Sequence, residues 1–262
     1  MHRCYLPPEA CQGTALELSG SEAHHALHVL RVRVGDPLWV LDGAGHSHRC
    51  VVKALGRHRV TLGVEERLFF PRQPHQITLI QAVAKPRSMD WVVQKATELG
   101  AHRLIPVLTE RSIPHLDQAD AARKAARWRD LAIEALKQCG TPWLPVIDPP
   151  RSLSEFLARV PRFDLTLVAA LAGSPRHPRE PWEGFFREHG RVPDNVAVWI
   201  GPEGDFTPAE LEAVVAAGAV PITLGPYVLR CETAAVACLA ILAYELAACA
   251  WDSRKSQATG ST

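Results

Sequence analysis

The stretch that most constrains this chain runs from Val196 to Val236, VAVWIGPEGDFTPAELEAVVAAGAVPITLGPYVLRCETAAV. Val196 to Ile200 is a short apolar run rich in β-branched residues, the pattern of a buried strand. Gly201 and Pro202 end it. Thr207 then opens a helix, because Thr-Pro-Ala-Glu is a capping box with Pro208 at the first helical position. Leu211, Val214 and Val215 give that helix an apolar side, and Gly218 closes it. A second strand over Val220 to Leu224 leads into Gly225-Pro226, and Glu232-Thr233 opens a last, very apolar helix. Two glycine-bearing loops thus follow two strands of one βαβ unit. Such a unit places both loops at the same sheet edge, where open α/β sheets bind ligands. Taken alone, GPEG is ordinary turn punctuation. A second such loop, with Arg230 and Glu232 beside it, makes a binding site the stronger reading.

The chain before this stretch changes character once. Up to Arg72, short alternating runs (Pro37 to Leu41, Arg49 to Ala54, Val60 to Val64) are separated by turns such as Asp42-Gly43-Ala44-Gly45, which suggests a small barrel. One helix, Glu22 to Leu30, interrupts them. Phe69 to Pro74 reads as a linker. A strand over Gln76 to Val83 follows, then a helix from Ser88 with Met89, Val92, Val93, Ala96 and Leu99 on one face and Gly100 at its end. Leu104 to Leu108 is the next strand. A long helix over Asp120 to Cys139 turns Ala125, Trp128, Leu131, Ala132, Ala135 and Cys139 inward. Its other side carries Arg123, Lys124, Arg127 and Arg129, the densest basic cluster in the chain. A strand over Asp164 to Ala170 ends in Leu171-Ala172-Gly173.

Composition narrows the function classes. With 262 residues, 47% hydrophobic and 22% charged, the chain has room for two soluble domains. A net charge of +1 advertises no global field for nucleic acid, so any RNA contact must rest on a local patch. Seven cysteines without a C-x-x-C pair argue for a reducing compartment and against a disulfide framework or zinc ribbon. The beginning, MHRCYLPPEA, has no apolar run of signal-peptide length, and the apolar segment Thr233 to Tyr244 is too short to span a bilayer. A cytoplasmic protein without a membrane partner is expected. Seven of the twelve histidines fall in the first 58 residues, among Arg31, Arg33, Arg49, Lys53, Arg57 and Arg59. That surface reads equally as a phosphate-contacting face and as a solvated barrel face. His24 and His28 share a helical face, but no cysteine or carboxylate stands at motif spacing beside them, so no metal is expected.

GPEGDF followed by LGPYVLRCETAA resembles the two signature loops of the SPOUT methyltransferases. More narrowly, it resembles the bacterial family that methylates N3 of a uridine in small-subunit ribosomal RNA. The VLR end of the first helix before Val34-Gly35-Asp36, the segment KPRSMDWVVQKATELG, and Thr109-Glu110-Arg111-Ser112 extend the likeness, which covers residues 20 to 250. The resemblance implies a PUA-like β-barrel over 1–72 and a SPOUT α/β domain with a C-terminal deep trefoil knot over 73–252; the Ser, Lys, Gln, Thr and Gly of 253–262 read as an unstructured tail. It further implies S-adenosylmethionine as cofactor, small-subunit ribosomal RNA as substrate, and a homodimer packed through the Thr233 to Cys249 helix and the pocket loops. The cofactor falls to Leu171, Ile200, Gly201, Pro202, Glu203, Gly204, Leu224, Gly225, Val228, Leu229, Arg230 and Thr233. Arg31, Arg33, Lys85, Arg87, Arg111, Arg123 and Arg127 are the candidate RNA contacts. Four positions depart from the family pattern: Thr141 stands where arginine is usual, Asp205 where a second glycine is frequent, Tyr227 where a basic residue is frequent, and Cys231 where threonine is usual.

The chemistry selects among these residues. Methyl transfer is an in-line displacement in which positioning supplies most of the rate. A uridine N3–H is a weak acid, so a carboxylate would take its proton and a cation would stabilise the resulting anion. Glu203 and Glu232 are the carboxylates and Arg230 is the cation. Glu232 has a competing structural role as an acid at a helix N-terminus. Backbone approach to an adenine explains glycine at 201, 204 and 225, and no G-x-G-x-x-G after a strand points to a Rossmann site instead. Two other readings stand: a SPOUT enzyme acting on a ribose 2′-hydroxyl of transfer or ribosomal RNA, and a non-catalytic RNA-binding assembly factor.

Overall fold

The structure, a computed structural model, describes residues 2–112 and 118–259. It divides into two compact units, Met1–Gln73 with Ala132–Leu144, and Pro74–Leu131 with Pro145–Thr262. The first unit thus takes in Ala132–Leu144, which the linear reading placed wholly in the second domain.

In the first unit β1 (Arg3–Tyr5), β2 (Ala15–Leu18), α1 (Gly20–His24), β3 (Pro37–Leu41), β4 (His46–Leu55) and β5 (Val60–Phe69) follow in order. The five strands form one sheet, β1-β3-β4-β5-β2, antiparallel except where β1 joins β3. Register shifts at Arg49/Cys50 and Val52/Ala54 bend the long β4–β5 hairpin over its own core. That core holds Cys4, Leu16, Leu18, Leu38, Val40, Cys50, Val52, Val60 and Leu62. The expected single helix over Glu22 to Leu30 is instead α1 followed by a π-helical turn, His25–Val29, and the chain leaves it through Arg31 at φ +54°. The end of the helix spanning Gln118–Cys139 packs here, with Leu136 against Tyr5 and Leu41. Leu136 fills the inward position expected of Cys139, which is exposed. Lys137 beside it is buried and held by Glu22 and Glu134, both at 2.7 Å. Arg3 donates to the terminal carbonyls of Lys137 (3.2 Å) and Gln138 (2.9 Å), a cation placed at a helix C-terminus. Gly140, at φ +83°, leaves room for it, since a Cβ there would stand 2.7 Å from Arg3 Cζ. A guanidinium from β1 therefore serves the end of this helix.

The second unit runs β6 (Gln76–Ala82), α2 (Pro86–Glu98), β7 (Arg103–Leu108), α3 (Gln118–Cys139, through Leu131 in this unit), β8 (Val146–Ile147), β9 (Arg151–Ser152), α4 (Leu153–Leu157), β10 (Leu165–Ala169), α5 (Arg179–His189), β11 (Asn195–Ile200), α6 (Pro208–Ala216), β12 (Val220–Ile222) and α7 (Cys231–Thr259). Its strands are all parallel in the order β12-β10-β11-β6-β7-β8, with β9 also on β7. Strands covered on both faces need continuous apolar runs, which is what Val196–Ile200 supplies. Trp199 meets Phe156 edge-on at 5.4 Å among Ile80, Ile105, Val168 and Val214. The capping box forms as the sequence predicts: Glu210 N–H donates to Thr207 Oγ1 at 3.3 Å and Thr207 N–H to Glu210 Oε2 at 2.9 Å. One expectation changes. β11 and β12 are not neighbours, because β10 lies between them, yet all three run the same way and their following loops share one edge.

α2 and α7 pack on one another, and α7 on β6 and β11. α7 continues as helix through Thr259, so the segment 253–259, expected to be unstructured, is helical; residues 260–262 of that expected tail lie outside the described residues. Among the described residues no helix is long and apolar enough to cross a membrane.

Candidate methyl-transfer site

A cavity of about 500 Å³ opens at the carboxyl ends of β10, β11 and β12. That is a volume suited to a small cofactor. Ala169, Ala170, Ile200 and Ile222 come from the strand ends; Gly201, Pro202, Glu203 and Asp205 from the first loop; Thr223, Leu224, Gly225 and Tyr227 to Glu232 from the second. Lys85 and Ser88, at the start of α2, Leu171, and Ala234 on α7 complete the lining. Ten of the twelve expected cofactor residues are thereby brought together. Gly204 and Thr233 do not line the cavity.

The glycines at 201, 204 and 225 also answer to constraints within the chain itself. A Cβ at Gly201 would stand 2.9 Å from Asp205 Oδ1 and 3.3 Å from the Phe206 nitrogen, so the loop's own turn-back excludes a side chain there. At Gly204 a Cβ would stand 3.2 Å from Arg111 Cδ. Gly225 has nothing within 4 Å, but its φ of +118° lies where only glycine is comfortable. Asp205 takes φ +59° without being glycine and steadies the turn by accepting from Phe206 N–H at 2.8 Å. That left-handed angle explains why a glycine suits the position.

The charged residues divide by what they touch. Glu203 accepts the Lys85 N–H at 2.9 Å, satisfying a backbone donor at the start of α2. Burial pushes the Glu232 carboxyl up, but its own backbone N–H, the Cys231 thiol, Ser88 and the Arg230 charge outweigh it and hold it below the usual carboxylate range. The Cys231 thiol donates to Glu232 at 3.3 Å and is itself pushed up to about 12, chiefly by burial, so it is an inert donor. Arg230 is exposed at the cavity wall.

The expected RNA contacts fare unevenly. Arg111 donates to the Gly204 carbonyl at 2.6 Å, and Glu110 N–H to Glu210 Oε1 at 2.7 Å, so the turn after β7 braces the first loop. Arg127 is paired with Asp90 at 2.7 Å, and Arg123 with Asp120. Arg31, Arg33 and Arg87 are exposed, and Lys85 is exposed at the cavity. His24 and His28 lie 4.7 Å apart, and among the described residues no three metal-ligating side chains gather. Sequence reasoning placed Lys85 on RNA and passed over Ser88 as a cavity residue. Parallel topology was the available signal, since α2 follows β6, the strand beside β11, at the same sheet edge.

Residues 71–243 match the model of the RNA methyltransferase domain family, and residues 18–65 that of the RNA methyltransferase PUA domain. The chain belongs to this RNA methyltransferase family. It is 31% identical over 227 residues to a ribosomal RNA small subunit methyltransferase E of Mycobacterium bovis, covering 87% of this chain and 85% of that one. Among solved structures, a methyltransferase of Legionella pneumophila in complex with bound S-adenosylmethionine is similar with a TM-score of 0.80 and 33% identity, over 92% of this chain and 96% of that one. A ribosomal RNA small subunit methyltransferase E of Neisseria gonorrhoeae bound to S-adenosylmethionine gives 0.79 and 30%, over the same shares. The first unit of this methyltransferase thus carries its PUA domain, and the whole cavity falls within the methyltransferase domain.

Proposed function

We propose that the chain transfers a methyl group from S-adenosylmethionine to N3 of a uridine in small-subunit ribosomal RNA, as a cytoplasmic homodimer. The cavity carries this reading. Its apolar side, with Ile200, Leu224, Val228 and Leu229, suits an adenine, and Glu203, Asp205 and Glu232 supply negative charge for a donor bearing a sulfonium and an ammonium. When bound, S-adenosylmethionine supplies an electrophilic methyl carbon. Arg230 stabilises the uridine anion as N3 attacks. Glu232, its carboxyl held below the usual carboxylate range, is ionised at neutral pH and open to the N3 proton. Glu203, tied to the Lys85 N–H, shapes the wall more than it moves protons.

The dimer and the knot belong to the same reading. Ile241 and Tyr244 on α7 are exposed beside an apolar groove with Leu167, Pro178 and Trp182, a face suited to a second copy. The chain leaves β11, forms β12 beyond β10, and returns as α7 onto β6 and β11, a path that supports threading. The test is incubation with labelled donor and small ribosomal subunits that lack the modification. Label recovered as N3-methyluridine is expected. Label on a ribose 2′-oxygen would move the acceptor, and donor binding without label would favour an assembly factor. Arg230→Ala should lower turnover by about a hundredfold or more with the fold intact, and near-normal turnover would remove its role.

A further inference from the structure

Among the described residues Tyr227 is the one aromatic side chain lining the cavity, and no large apolar side chain is more exposed, at 81%. A ring that borders a reaction cavity and yet faces water has a free face to offer. Its loop is not slack. The Thr223 hydroxyl accepts from Gly225 N–H and donates to the Gly225 carbonyl, both at 3.2 Å, and Gly225 at φ +118° with Pro226 turns the chain outward immediately before the ring. Val228, 74% exposed, widens the apolar surface, and Arg230 and Lys85 on the same cavity provide positive charge.

We propose that Tyr227 stacks on the acceptor base of the RNA, which must therefore be unpaired or extruded before it enters the cavity. The inference rests on the methyl-transfer reading above and adds the state of the substrate. A stacked base in a duplex hides its reacting edge, so an enzyme acting on it takes it out of the stack. An aromatic face meets any base without reading it, and stacking rewards extrusion without fixing identity. A ring contact of this kind is insensitive to salt, unlike a contact between a basic side chain and a phosphate.

The test compares wild type, Tyr227→Ala and Tyr227→Phe for KM toward small ribosomal subunits, donor affinity, and particle mass, at two salt concentrations. Tyr227→Ala should raise the RNA KM about tenfold or more, with donor affinity, dimer mass and the salt slope unchanged. Tyr227→Phe should restore KM, because the ring and not the hydroxyl does the stacking. An unchanged KM for Tyr227→Ala in an active background overturns the proposal. So does loss of dimer mass, which would show the ring buried by a second copy, or an equal loss of donor affinity. Wild-type protein that methylates no RNA would overturn this inference and the reading beneath it together.

Discussion

Gly225→Ala isolates backbone conformation from every other effect at the cavity proposed for S-adenosylmethionine. A Cβ added at Gly225 would meet nothing within 4 Å, so no clash contributes, but the residue holds φ +118°. Keeping an L-residue there costs about 1–3 kcal/mol. Two routes are open to the chain. If the loop keeps its shape, the whole strain appears as lost stability, a fall in melting temperature of roughly 2–4 °C per kcal/mol for a chain of this size. If the loop relaxes, Leu224 and Val228 leave the cavity wall, and donor affinity falls by up to the same free energy, about 5- to 150-fold. Calorimetric titration of S-adenosylmethionine together with a thermal melt measures both shares. The expected result is a combined loss of about 1–3 kcal/mol divided between them. Affinity within twofold of wild type together with an unchanged melt would refute the argument, because it would show that the loop does not need the angle it holds.

Arg111→Ala should weaken donor binding about three- to tenfold without unfolding the domain, since its exposed hydrogen bond braces the Gly204 carbonyl; loss of RNA affinity alone would return Arg111 to the RNA surface. The Asp164 carboxyl, bonded by Arg191 and by the Asp194 and Asn195 N–H groups, is held down to about 2. A folded value below the unfolded one adds stability that is present in full above about pH 4 and is lost as pH falls toward 2. Asp164→Asn should therefore cost about 1–2 kcal/mol at pH 7, with wild type and variant converging near pH 2; a gap that persisted in acid would assign the effect to packing.

What could be read from the chain separates by how far each residue sits from its partner. The Thr207–Glu210 capping box closes within three residues, and the apolar run of β11 needs only a covered sheet, so both were legible. The pairings that decide roles were not local. Lys85 meets Glu203 across 118 residues, Arg111 meets Gly204 across 93, and Lys137 meets Glu22 across 115. No periodicity records such a meeting, so the carbonyl that holds Arg111 and the carboxylate that holds Arg127 are visible only in the fold. The inserted position of β10 between β11 and β12 was hidden for the same reason, since strand order is settled between elements and not within them.

This distance rule also says where function survives on the second loop. Arg111 and Glu203 reach across the fold and are spent on holding the walls, and Glu232 is engaged at the start of α7 by Ser88, Cys231 and its own backbone. Arg230 and Tyr227 stand exposed at the same cavity. On the proposed function, the guanidinium and the ring would then form the pair that meets the acceptor, one answering the charge that develops on the base and the other its flat face.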